Sequence, residues 1–235
     1  MFTRADFDLY QPRFQSDPEW NGRRLDVRRR LQELGERVQA AYAQLGIGLE
    51  RRESIHNPHA VNQNRVRRQR TQLFRDRKAR KALQSFLGKE LGKDLDSSQN
   101  NAHLQAGLDA DGVFWGLRID PGAWYDLNSL LKRAEDEPGR AQILAACRGV
   151  SGFQLLVDGR GPRALEHMSS RDWRDLAGIL QPGKSGLDVI RRLPPAAAEA
   201  AGAALEEQVM EDLLRLSGLF RLACWTLDGP CGASL

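Results

Sequence analysis

Cysteine is scarce. The three present, Cys147, Cys224 and Cys231, are odd in number and have no metal-ligand spacing. Cys147 and Cys224 lie in apolar helical patterns and read as core thiols, which makes cytoplasmic the expected location. Long apolar runs are missing too. None approaches the ~20 residues of a membrane helix, so no membrane partner is expected. The opening MFTRADFDLYQPRF holds no apolar core of a secretory signal. There is no internal repeat and no low-complexity linker, and no Ser/His/Asp spacing supports a catalytic triad. Lysine is sparse, six against 29 arginines, a bias running through the whole chain.

What is present is ordinary in bulk and uneven in place. At 235 residues, 41% hydrophobic and 28% charged, the chain has enough apolar material for a substantial core. Its net charge of +4 hides an asymmetry. Residues 51–93 carry 13 Lys/Arg against three acids, a formal +10, while 1–50 are neutral and 94–235 carry −6.

Periodicity predicts the elements. Residues 1–20 hold five aromatics among turn formers and read as an arm packed on the domain. Val27, Leu31, Leu34, Val38, Ala41 and Leu45 mark one face of a helix over 22–45. Residues 47–53 read as extended. Residues 65–74 are ambiguous, because as a strand they put arginines on both faces. Ala79, Leu83 and Leu87 stripe a helix over 76–87. Strands at 103–108 and 113–119 flank the turn Asp109-Ala110-Asp111-Gly112. Asp120-Pro121 reads as the capped start of a helix with Trp124, Leu127, Leu130 and Leu131 inward. A helix at 139–148, a strand at 153–157, a helix from 169 to 180 and a strand at 187–193 follow. Pro194-Pro195 breaks the chain before a final helix over 196–216. Residues 219–225 read as its tail or a closing strand. These parts predict an α+β fold, a single antiparallel or mixed sheet with helices packed on it. One domain over 21–226 and a frayed tail at 227–235 are expected.

Three motifs bear on chemistry. The strongest is the basic run. Arg65, Arg67, Arg68 and Arg70 precede a helix carrying Arg75, Arg77, Lys78 and Lys81 at and beyond its start, an array suited to phosphate contacts. The second is the polar loop His56, Asn57, His59, Asn62 and Asn64, suited to hydrogen-bonding a ligand. His56 and His59, with His103 as a remote third, fall short of a zinc ligand set, and a turn satisfied by its own side chains explains them; no metal is expected. The third, Gly178 to Ser185, matches the phosphate-loop pattern letter for letter. A helical pattern precedes it where a strand is required, so it reads as a helix end and turn, and no cofactor is expected.

The order of parts is similar to a family of uncharacterised bacterial α+β domains. In that family a helix leads to an Arg-rich strand ending in an Arg-Phe…Asp-Lys-type run, followed by a hairpin and a Pro-started helix. Leu73-Phe74-Arg75-Asp76-Arg77-Lys78 holds the first place here, and 103–119 with Pro121 the second. The Pro-Tyr after the family's Lys is absent. The resemblance spans roughly 24–225 and implies a fold without an activity.

Three functional readings follow. In the first, 65–81 forms a basic surface for nucleic acid or another polyanion. In the second, the chain is an enzyme or small-ligand binder with an Arg/His-lined pocket for a phosphorylated or carboxylated ligand. In the third, the basic stretch docks on an acidic protein. Whether the chain is an enzyme, and its oligomeric state, are left open.

Overall fold

Two periodicities sort the chain into a sheet and a layer of helices. The computed structural model describes residues 2–60, 62–92 and 94–225; Cys231 and the tail expected at 227–235 lie outside the described residues, as does the Asn62 side chain. In chain order the elements are α1 (Arg4–Asp8), α2 (Asn21–Gln44), β1 (Leu49–Glu53), β2 (Arg68–Arg75), α3 (Arg77–Leu91), β3 (His103–Asp109) and β4 (Gly112–Ile119). Then come α4 (Trp124–Glu135), α5 (Glu137–Cys147), β5 (Gln154–Val157), β6 (Arg163–Ala164), α6 (Ser170–Ile179), β7 (Leu187–Leu193), α7 (Pro195–Ala201), α8 (Ala204–Arg215) and α9 (Ser217–Ala223). The strands form one sheet in the order β1-β2-β3-β4-β7-β5-β6, every pair antiparallel. The fold is α+β, as the alternation of patterns predicts.

The two faces of the sheet differ because side chains alternate along each strand. One face carries Leu73, Leu104, Ala106, Trp115, Leu117 and Val189, all buried. The helix α2 packs across β1, β2 and β3, and α7 and α8 pack on β4. Burying this apolar area is the main source of stability. Gly35 lets α2 come close: a Cβ there would lie 2.6 Å from Thr71 Oγ1 and 2.6 Å from Arg51 Cδ. Two of the large buried side chains have partners for their polar tips. Trp115 Nε1 donates to Asp212 Oδ2 (3.0 Å) and the Tyr42 hydroxyl donates to Leu213 O (2.6 Å). The N-terminal segment joins this core through Phe2, Phe7, Leu9 and Tyr10. The opposite face is mostly polar, with Arg68, Arg70, Gln72, His103, Gln105, Arg118, Asp188 and Arg192 on it beside Phe74, Phe114 and Ile190.

Local chemistry sets where α3 begins. Asp76 caps it, its Oδ1 accepting from Ala79 N (2.8 Å). Asp76→Ala is expected to cost ~1 kcal/mol, lowering the melting temperature by a few degrees in a thermal denaturation followed by circular dichroism.

Two expectations change, and the reading of 178–185 as a helix end and turn holds. The helix predicted to start at Asp120 starts at Trp124, and Asp120 instead accepts from Arg118 Nε (2.7 Å). The final helix predicted over 196–216 is two helices, α7 and α8, since Gly202 leaves helical geometry at φ 58°, and the segment read as its tail or a closing strand is helical as α9. Residues 178–185 join a helix to a strand, the reverse of a phosphate loop. The amides of Lys184 and Ser185 are spent on Gln181 O (3.0 and 2.8 Å), which leaves no cradle. Among the described residues no helix is long and apolar enough to cross a membrane.

Candidate functional site

The strand β2 decides which arginines meet solvent. Its alternation sends Gln69, Thr71, Leu73 and Arg75 to the helix-covered face and Arg68, Arg70, Gln72 and Phe74 to the polar face. Arg75 is 2% exposed and ion-paired with Asp126 of α4. It is therefore a structural arginine and leaves the predicted binding array. Arg80, on α3, is also internal: it pairs with Glu50 (2.8 Å) and Asp96 (3.0 Å) and lies over the Phe74 ring. Arg77, Lys78 and Lys81 point to solvent from α3 and line no shared surface with the cleft below. The run 65–81 is thus divided by the fold.

Arg65, Arg67, Arg68 and Arg70 do come together. With Arg52 of β1 they line a cleft of about 510 Å³ between the end of the β1–β2 pair, the segment 54–67 and the turn 97–99. Backbone anchoring places them. Ser54 N donates to Arg70 O (2.9 Å), and Val66 is buried with its N–H on Gln15 O (2.9 Å). That leaves Arg65 and Arg67, on either side of Val66, exposed. Across the cleft, Asn101 Nδ2 donates to Leu95 O and Ser97 O (both 2.8 Å) and holds the turn.

Among the described residues none of these five arginines is ion-paired to a carboxylate. Arg67 Nη2 donates to Gln63 Oε1 (2.9 Å) and Arg52 Nη2 to Asp96 O (3.0 Å). The carboxylate on the lining, Glu53, is taken by Arg51, which also holds Glu36 (3.0 Å).

Arg70 carries the sharpest imbalance. It is 8% exposed, and its Nη1 donates to Gln105 Oε1 (2.7 Å). Gln105 Nε2 in turn donates to Asp188 Oδ1 (3.2 Å), and Arg118 holds both Asp188 and Asp120 (2.7 Å each). An amide therefore stands between Arg70 and the nearest acids. Burial first, and Arg68 next, pull the Arg70 guanidinium down to about 10. Among the described residues it has no ion-paired carboxylate, and Asp120 and Asp188 offset its burial only from a distance.

The polar loop is elsewhere. His56 Nδ1 lies 3.5 Å from Arg28 Nη1, and burial followed by Arg28 lowers its pKa. Asn57 Oδ1 accepts from His59 N (3.0 Å), an Asx turn that explains both residues. His59 and Asn64 are exposed. Asn62 opens the 3-10 turn Asn62–Asn64. None of His56, Asn57, His59 and Asn64 lines the cleft; Gln63 of the same loop does. Among the described residues no group of three His, Cys, Asp or Glu is placed to hold a metal. Sequence reasoning missed Arg52, Gln105 and the Ser97–Gln99 wall. The polar residues alternating with Leu104 and Ala106 were the available signal for Gln105. No protein-family model matches the chain, and no curated protein matches it.

Proposed function

We propose that this chain binds a small, multiply charged anion, a phosphorylated ligand foremost, in the arginine cleft. The observation that carries this is the set of five guanidinium groups lining one cleft without an ion-paired carboxylate, Arg70 among them nearly buried. Guanidinium forks match phosphate oxygens in pairs, and such charge-assisted bonds are the strong ones. The size of the cleft favours a discrete ligand. So does its lining, which has no aromatic ring for bases to stack on: Phe74 is closed beneath Arg52 and Arg80. The exposed α3 cations that a nucleic acid would also use lie outside it. Among the described residues the lining offers guanidinium, amide and hydroxyl groups, and its carboxylate is already paired, which supports recognition of an anion.

Calorimetric titration with pyrophosphate at low salt tests this. Binding is expected, weaker at higher salt, and weakened about 10- to 100-fold by Arg70→Ala, from the ~1.5–3 kcal/mol of a hydrogen bond to a charged group. Absence of binding at low salt, or binding indifferent to Arg68→Ala and Arg70→Ala, would overturn it. Binding of a random single-stranded oligonucleotide, lost in an Arg77/Lys78/Lys81 alanine variant, would return the function to nucleic acid.

A further inference from the structure

The cleft floor holds a second group whose polarity the fold sets. Gln72 follows Arg70 by two positions on the same face of β2, lines the cleft and is 7% exposed. Its side chain meets His103 Nε2 at 3.0 Å. His103 is fully buried, and its Nδ1 lies 3.1 Å from Asn101 O. A carbonyl oxygen only accepts, so Nδ1 carries the hydrogen. Burial, with Arg70 beside it, keeps the ring neutral. Nε2 is then a bare acceptor, and the Gln72 amide must turn its NH2 group toward it. The Gln72 carbonyl oxygen is left over. Among the described residues it accepts no hydrogen bond, and it is not sealed from solvent.

The floor of the cleft therefore presents donors and an acceptor side by side. Arg70 has four N–H groups beyond the one on Gln105, and Arg68 stands next along the same strand face. Ser54 Oγ accepts from Arg70 N (3.0 Å), which leaves its own hydrogen to give. Residues i and i+2 of a strand project from one face roughly 6.5–7 Å apart, so Arg70 and Gln72 can meet two neighbouring groups of one small ligand. An anion alone would use Arg70 and leave the Gln72 oxygen facing it, which is unfavourable. An anion with a neighbouring hydroxyl satisfies both.

Resting on the proposed anion binding, we propose that the ligand is a phosphate ester of a polyol, of the size of a small sugar phosphate. Arg70 and Arg68 hold the phosphate, and Gln72 Oε1 accepts from a hydroxyl close to it. A site that hydrogen-bonds a hydroxyl discriminates against ligands lacking it, because such a ligand covers the acceptor, displaces its water and gives nothing back.

The test is a calorimetric panel on the full chain at low salt, comparing glycerol 3-phosphate and ribose 5-phosphate with ethyl and propyl phosphate. The polyol esters are expected to bind about 10-fold tighter or more, and Gln72→Met to remove that preference while alkyl phosphate binding holds. The panel on the unmodified chain needs no variant, so the comparison stands even where Gln72→Met fails to fold. Alkyl and polyol phosphates within about threefold of one another, both weakened by Arg70→Ala, would overturn the polyol assignment and keep the anion cleft. Absence of binding by any of the four would overturn both.

Discussion

A chain carrying Asp126→Ala should lose about 3–5 kcal/mol of stability, because it leaves the buried Arg75 charge uncompensated. Asp126 is 1% exposed and accepts from three donors: Arg75 Nη2, Ala102 N (2.6 Å) and Trp225 N (3.2 Å). Through them it ties β2 to α4, to the start of β3 and to the chain beyond α9. At a few degrees per kcal/mol, the melting temperature is expected to fall by about 10 °C. Replacing both partners, Arg75→Met with Asp126→Leu, should recover only the part due to the stranded charge, since the Ala102 and Trp225 N–H groups stay unpaired. Thermal and urea denaturation read both variants. A fall under about 2 °C for Asp126→Ala would contradict the burial of this pair. The same variants separate structure from binding: Arg75 belongs to the fold, so the double variant should keep its affinity for pyrophosphate.

Gln105→Glu should abolish most anion binding without touching the cleft wall. Gln105 Oε1 already lies 2.7 Å from Arg70 Nη1, so a carboxylate there would supply the counter-charge that Arg70 lacks. Its other oxygen would face Asp188, whose pKa burial already raises; a proton taken up by the pair belongs on Asp188, which keeps the negative charge beside Arg70. Arg70 would then have no unmatched charge to offer. Affinity for pyrophosphate is expected to fall about 10- to 100-fold, as for loss of a hydrogen bond to a charged group. Gln105→Met, which removes the amide but adds no charge, should weaken binding by only a few fold. Equal losses in the two variants would mean that Gln105 acts through packing alone, and an unchanged affinity in Gln105→Glu would remove Arg70 from the site.

The fold class was legible because its signals are local. Val27, Leu31, Leu34 and Val38 repeat at helical spacing, and Leu104, Ala106, Trp115 and Leu117 alternate, so each stretch declares its own buried side. The strand β2 was ambiguous for a reason now visible. Neither face is apolar, since one carries Thr71 together with Gln69 and Arg75, the last two partnered by Tyr10 and Asp126, and the other carries the cleft. Those partners are 59 and 51 residues away, beyond any window of periodicity. The gathering of basic residues was legible as charge, but its division was not. Arg70 and Arg75 differ only in the parity of their positions on one strand, and that register is set by pairing with β3. The His56–Asn64 loop misled because Asn and His suit a turn as well as a ligand.

The central claim is that Arg70 and its neighbours keep their charge free for an anion. Arginine Nε–Hε resonances, assigned by Arg68→Lys and Arg70→Lys variants and followed by NMR as pyrophosphate is added, read that claim directly. The account predicts that the Arg70 and Arg68 signals shift together and saturate, while those of Arg75 and Arg80, already paired inside the fold, stay where they are. Arg70 and Arg68 signals that do not move, while those of Arg77 on α3 do, would contradict it.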